Sequence, residues 1–136
     1  MISGTLTILE FLVGADSYAV PLDCVREVIR PSSPEVSSEE LPLLPITAAI
    51  GLNDDPTVRF NRGVVLDTVD GLLVLLVQRV VGVRNVDAGR MLNVPPFLPP
   101  RTREAVRGLL LEDDRIAVVL RPETLFMQRP VGEARG

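Results

Sequence analysis

Short apolar runs separated by turn residues follow one another along this chain. Residues 5–13 alternate well enough to predict a strand, although the alternation slips near Leu9; its apolar positions are Leu6, Ile8, Phe11 and Val13. Residues 14–17 have the composition of a hairpin turn, and residues 18–21 form the returning strand. The chain therefore opens with a predicted β-hairpin.

The clearest hairpin signal lies in the middle of the sequence. The dipeptide Asp70-Gly71 separates residues 62–69 from residues 72–77, and both runs are rich in β-branched or aliphatic side chains. Asp-Gly favours a two-residue turn because both central positions can take positive φ. Residues 72–77 are continuously apolar, which predicts a central strand buried on both faces.

The remaining segments predict further short elements. Prolines and serines make residues 31–40 a polar loop, and prolines make residues 95–100 an extended connector that is neither helix nor central strand. The other elements are a stiff apolar connector at 41–45, a short packed segment at 46–52, short strands or edges at 80–83 and 90–94, a last hairpin at 107–111 and 115–120, and a helix from Pro122 to about Met127. About eight or nine short strands of this kind are typical of an all-β sandwich or barrel.

Composition and charge narrow the function classes. Of the 136 residues, 46% are hydrophobic but only 4% are aromatic, which predicts one domain, residues 1–136, with an aliphatic core. The formal net charge is −4 and no dense basic patch is present, so nucleic acid is a poor candidate partner. No signal peptide is visible, and the apolar run 72–77 is too short to span a bilayer. We expect a cytoplasmic protein without direct membrane contact.

The sequence offers little chemistry for catalysis. Histidine is absent, which removes the commonest general base and the commonest metal ligand. The carboxylate pairs Asp54-Asp55 and Asp113-Asp114 lie in predicted turns, where Asp hydrogen-bonds its own backbone. Cys24 is the single cysteine, and we expect a buried structural thiol. No phosphate-binding glycine motif is present, so we expect no catalytic residue, no metal and no cofactor, and an enzyme is not expected.

Two segments resemble the two ends of a known family. Residues 9–23 predict a hairpin whose second strand ends in Pro21, and the register Val25-Arg26-Glu27-Val28-Ile29 follows it. Near the other end, Gly108-Leu109 leads into the strand 115–120 and the short segment 122–126. This arrangement resembles a CheW-like domain, the adaptor module of bacterial chemosensory arrays. The resemblance implies two intertwined small SH3-like β-barrels of five strands each, with a short C-terminal helix.

The resemblance also implies a partner surface where the two barrels meet. In this family an apolar groove there accepts the helical cytoplasmic tip of a chemoreceptor (a methyl-accepting chemotaxis protein). Residues 25–29 match the family motif at this place, and residues 50–52 match the segment that leads into the mid-domain loop. The implied partner-binding residues are Val25, Arg26, Glu27, Val28, Ile29, Ile50 and Leu52. Val25 and Val28 are the candidates for lining the groove, and plain core positions are an equally good interpretation of Val25, Val28 and Ile29.

The chain departs from the family pattern after Leu52. Family members continue with an Asn-Leu-Arg-Gly sequence, a strand with a Pro-Val-x-Asp-Leu pattern, a short helix and a loop before the next hairpin. Here only residues 53–63 precede the strand at 64–69, and Arg62-Gly63 resembles the Arg-Gly motif only superficially. We therefore expect that a strand-plus-helix unit is missing, that one barrel is truncated, and that binding to the histidine kinase is weakened or lost.

Four functions stay open at this point. The first is an accessory adaptor that joins chemoreceptors or other CheW-like adaptors. The second is an ordinary coupling protein that links the chemoreceptor to the chemotaxis histidine kinase. The third is a structural array subunit, and the last is a β-barrel that holds a hydrophobic ligand, for which so short a chain leaves little room. An exposed strand edge would also permit a homo-oligomer.

Overall fold

The structure is a computed structural model that describes residues 4–30, 41–50, 59–112 and 115–128. Within these residues the strands are β1 (Thr5–Val13), β2 (Asp16–Pro21), β3 (Val25–Ile29), β4 (Leu43–Pro45), β5 (Arg62–Thr68), β6 (Gly71–Val77), β7 (Arg79–Asp87), β8 (Met91–Leu92), β9 (Val106–Glu112) and β10 (Arg115–Leu120). The α-helices are α1 (Ile46–Ala49) and α2 (Pro100–Ala105), and the 3-10 helices are Leu22–Cys24, Ala88–Arg90 and Pro122–Gln128. The predicted loop at 31–40 and the predicted turns at Asp54-Asp55 and Asp113-Asp114 lie outside the described residues.

The strands form two sheets, and the chain passes from the first sheet to the second and back again. One sheet has the order β7-β1-β2-β10-β9-β8, and the other has the order β3-β5-β6-β4. The chain begins in the six-stranded sheet, builds the four-stranded sheet with β3 to β6, and then returns. This path confirms the predicted all-β fold of two intertwined units. The strands of the described residues divide six to four, whereas the resemblance implies five in each barrel.

One apolar cluster joins the two sheets, and a second lies on the other face of the six-stranded sheet. The inter-sheet cluster consists of Leu9, Phe11, Val13, Tyr18, Val20, Leu44, Ile46, Ala49, Ile50, Val64, Leu66, Leu73, Leu75, Val77, Ala105, Val106, Leu120 and Leu125. The second cluster consists of Ile8, Ala19, Val86, Leu110, Ala117 and Val119. Successive residues of a strand face opposite sides of its sheet, so β1 and β2 contribute to both clusters.

β1 is regular where its apolar alternation slips, and the register shift between Glu10 and Phe11 comes from an extra residue in the neighbouring strand. β1 and β7 pair antiparallel with Glu10 opposite Gly82 and Phe11 opposite Val80, so Val81 is the extra residue of a β-bulge in β7. Gly82 has a φ of 147°, which L side chains rarely adopt. The slip in the apolar pattern arises because both faces of β1 are buried at its centre.

The β5–β6 hairpin is confirmed, but its turn lies one residue earlier than predicted. Thr68 pairs with Gly71, so the two-residue turn is Val69-Asp70. The Thr68 hydroxyl donates to the carbonyl oxygen of Gly71 at 2.9 Å and accepts from the backbone N–H of Asp70 at 3.1 Å. β6 is central between β5 and β4 and is largely buried, as its apolar run predicts.

The proline-rich segments contain elements that the sequence patterns do not show. β4 lies within the predicted connector 41–45 and pairs parallel with β6. α2 begins at Pro100, which the sequence analysis assigns to an extended connector; that assignment is wrong for Pro100 because proline is tolerated in the first turn of a helix. The predicted C-terminal helix is present as the 3-10 helix Pro122–Gln128.

β4 runs directly into α1, and both lie before Leu52. The strand-plus-helix unit that is expected to be missing would follow Leu52, so β4 and α1 are not that unit. Among the described residues, no strand or helix lies between α1 and β5. The loss of the unit stays a prediction, because residues 51–58 lie outside the described residues.

Candidate functional site

β3 lies at the edge of the four-stranded sheet. It pairs antiparallel with β5, and among the described strands none pairs with its other side. Its burial contrasts with that of the central strands: Val25 and Ile29 are half-buried, while Arg26, Glu27 and Val28 are exposed. The predicted partner-binding motif therefore lies on an accessible strand edge.

A β-bulge brings Val25 and Val28 to the same face of the sheet. Residues three apart in a regular strand point to opposite faces. In β3, Val25 pairs with Leu66 and Val28 pairs with Val64, so Arg26 is the extra residue. Leu66 and Val64 both belong to the inter-sheet cluster, so Val25 and Val28 lie on the face directed at that cluster.

The two valines differ in how far they are available to a partner. Val25 packs against the inter-sheet cluster, so it combines a structural role with partial exposure. Val28 is 41% exposed, which is high for a large aliphatic side chain on a strand. Val28 is therefore the most accessible aliphatic side chain of the motif.

The other motif residues lie elsewhere on the strand. Glu27 and Ile29 pair with Val65 and Gly63, on the opposite face from Val25 and Val28. Arg26 forms an ion pair of 3.6 Å with Asp67 of β5, and both side chains are more than half exposed. The contact of Asp67 with Arg26 could not be predicted from the sequence, because only the strand register brings the two residues together.

The structure separates Ile50 from this surface. Ile50 is 3% exposed and belongs to the inter-sheet cluster. Its carbonyl oxygen accepts a hydrogen bond of 2.7 Å from the hydroxyl of Thr102 in α2. Ile50 is thus a core residue, and its proposed partner-binding role has no exposed surface to act through. Leu52 lies outside the described residues.

Cys24 is not the fully buried thiol that its apolar neighbours predict. It is half-buried and lines a surface concavity between the start of β3 and the C-terminal 3-10 helix, together with Asp23 and Glu123. Burial, and secondarily the adjacent carboxylate of Asp23, raise the pKa of the Cys24 thiol to about 11. Such a thiol is a poor nucleophile at neutral pH.

Comparison with known proteins identifies a family and a fold. A family model described as CheW-like domain matches residues 7–129. The crystal structure of the scaffolding protein TtCheW from Thermoanaerobacter tengcongensis matches with a TM-score of 0.73 and 18% identity, over 90% of this chain and 88% of that chain. No curated protein sequence matches the chain. In the part of the chain that the structure describes, no helix is long and apolar enough to cross a membrane.

Proposed function

This chain belongs to the CheW-like domain family, and from that membership we propose that it is a non-catalytic, single-domain adaptor of a bacterial chemosensory array. The proposed partner is the helical cytoplasmic tip of a chemoreceptor. The observation that carries the proposal is the exposed edge strand β3, where Val25 and Val28 share one face at the margin of the inter-sheet cluster.

The chemistry of this edge suits an amphipathic helix. A helix presents apolar side chains at intervals of three or four residues, and aliphatic side chains on a neighbouring surface can accept that stripe. Val28 offers exposed apolar area, and Val25 connects it to the buried cluster. Apolar burial at such a contact is favourable in proportion to the area removed from water.

We propose further that binding to the histidine kinase is weak or absent. The support is the reduced second sheet, which has four strands among the described residues instead of the five that the family resemblance implies. The chain is then an accessory adaptor that joins two receptors, or joins a receptor to another CheW-like adaptor.

An ordinary coupling protein that links receptor to kinase is the second candidate. The observation that favours it is Arg62-Gly63 at the start of β5, the pair that resembles the Arg-Gly motif of family members. If this pair is the true motif, β5 is the family strand that follows the mid-domain loop and the kinase-binding surface is retained.

Binding to two separate fragments distinguishes the candidates. The full chain is titrated by calorimetry against the cytoplasmic tip of a cognate chemoreceptor and, separately, against the regulatory domain of the cognate kinase. The accessory role requires receptor binding with kinase binding at least about tenfold weaker, a difference of ~1.4 kcal/mol. Equal or tighter kinase binding would establish the ordinary coupling protein, and no binding to the receptor tip would overturn the proposed receptor contact.

A further inference from the structure

A small cavity opens where the two sheets meet, at the end of the four-stranded sheet where β5 begins. Its volume is about 390 Å³, and it is lined by Leu12, Gly14, Asn61, Arg62, Gln78 and Arg79. These residues come from the β1–β2 hairpin, from the start of β5 and from the junction of β6 and β7. We name this cavity the basic pocket.

The charged side chains among the described residues of the basic pocket are both positive. Arg62 and Arg79 line it, and none of the described lining residues is a carboxylate. The concavity beside Cys24 shows the contrast, since Asp23 and Glu123 accompany its arginines. Two guanidinium groups that line one cavity, in a chain whose net charge is −4, form a site suited to an anion.

A fixed amide adds hydrogen-bond donors to this site. The side-chain oxygen of Gln78 accepts a hydrogen bond of 2.6 Å from the backbone N–H of Gly14. Because the oxygen is held on Gly14, the NH2 group of Gln78 is directed away from that backbone N–H. Arg62 is likewise anchored, since its Nη1 donates to the carbonyl oxygen of Asn61 at 2.9 Å.

The basic pocket is close to the proposed docking strand. Ile29, the last residue of β3, pairs with Gly63, which directly follows Arg62. The exposed Arg30 directly follows Ile29 at this end of β3. A partner seated on β3 would therefore have cationic side chains within reach at this end of the strand.

We propose that the basic pocket binds a carboxylate side chain of the protein partner that docks on β3. This inference rests on the proposed function for the identity of the partner, but the pocket chemistry stands on its own residues. Guanidinium groups bind carboxylates through paired N–H donors, and the Gln78 amide supplies a further N–H. The contact selects partners that carry Asp or Glu next to the apolar stripe.

The test compares charge removal inside and outside the basic pocket. The double variant Arg62→Gln/Arg79→Gln is titrated against the receptor tip at low and high salt. Arg90→Gln/Arg103→Gln, which removes two exposed arginines of other elements, is the matched control. We expect about tenfold weaker binding and a shallower salt dependence for the Arg62→Gln/Arg79→Gln variant alone. Equal affinity and equal salt dependence for the two variants would overturn the inference, although the receptor contact on β3 would stand.

A second measurement keeps the inference testable if the receptor tip does not bind at all. Glutarate, a small dicarboxylate, is titrated into the labelled full chain while the backbone and arginine side-chain NMR signals are followed. We expect shifts at the backbone N–H of Gly14 and at the side chains of Arg62 and Arg79, and we expect the Gly14 shift to be absent in the Arg62→Gln/Arg79→Gln variant. Without such shifts the basic pocket does not bind carboxylates, whatever the outcome of the receptor experiment.

Discussion

The guanidinium Nε of Arg84 donates a hydrogen bond of 2.9 Å to Oε1 of Glu10, a carboxylate at the centre of β1 that is fully buried. The hydroxyl of Ser17 also donates to Glu10, and Arg115 lies 3.4 Å from the same carboxylate. A buried charge is tolerated only when it is paired and hydrogen-bonded. Glu10 therefore connects its own strand, β1, to three other strands of the six-stranded sheet through polar contacts from β2, β7 and β10.

The substitution Glu10→Gln should destabilise the fold. It removes the negative charge that faces Arg84, whose side chain is only 30% exposed. Removing one member of a buried ion pair typically costs ~3 kcal/mol or more. We expect urea unfolding at a lower denaturant concentration with an unchanged slope. The double variant Glu10→Leu/Arg84→Met should recover much of the loss, and a wild-type midpoint for Glu10→Gln would refute this account.

The Tyr18 phenol should ionise at a higher pH than an exposed tyrosine, and its burial should make the fold less stable at alkaline pH. Burial, and secondarily the charge of Asp16, raise the pKa of the Tyr18 phenol from 10.0 to about 12. Between these two pH values the unfolded chain has lost the phenolic proton and the folded chain retains it, so the free energy of unfolding falls as pH rises. The loss should reach about 2 to 3 kcal/mol.

The chain contains one tyrosine and no tryptophan, so phenolate absorbance reports Tyr18 directly. Tyr18→Phe should lack this alkaline loss of stability. A midpoint near the ordinary tyrosine value while the chain is still folded would show that the phenol is solvated.

Cys24 should react slowly with thiol reagents. With a thiol pKa of about 11 instead of 9.0, the thiolate fraction near neutral pH falls by roughly two orders of magnitude. We expect alkylation of the folded chain to be about 100-fold slower than in denaturant. Asp23→Asn should accelerate the reaction, whereas Asp70→Asn, in the β5–β6 turn, should not. Equal rates for folded and unfolded chain would contradict the pKa shift.

Val28→Glu should abolish receptor binding with little effect on stability. Val28 is 41% exposed, so a carboxylate there can remain in water in the free chain, but it would be buried against the apolar stripe of the partner. Val69→Glu, at a turn residue that is 93% exposed, is the matched control. Calorimetric titration and thermal unfolding of both variants test this prediction. Normal receptor binding by Val28→Glu would remove β3 from the proposed surface.

Gly63→Ala should destabilise the packing of β3 against β5. A Cβ at Gly63 would lie 2.7 Å from Cγ1 of Val74 and 3.2 Å from Cγ1 of Ile29, so one of these side chains must shift. Overpacking of this kind costs about 1 to 3 kcal/mol. Gly4→Ala meets no atom within 4 Å and should be neutral. Thermal unfolding compares the two, and equal stabilities would show that β3 adapts without cost.

Part of the candidate site could be predicted from the sequence. The apolar positions of residues 25–29 indicate a strand, and Val28 is indeed exposed on it. The sequence could not show that Val25 and Val28 lie on one face, because their common face depends on a bulge in the pairing of β3 with β5. For the same reason the ion pair of Arg26 with Asp67 could not be predicted, and Ile50 was assigned to the surface although it lies in the core.

The sequence by itself determined the all-β class, the two hairpins β1–β2 and β5–β6, and the buried central strand β6. Each of these depends on alternation, continuous apolar runs or turn residues within one short segment. Tertiary structure alone decided that Glu10 is buried, that Pro42 and Pro45 flank or belong to a paired strand, and that Arg62 and Arg79 line one cavity. These features arise from pairing between segments far apart in the chain, and local periodicity carries no information about which distant segment supplies the partner.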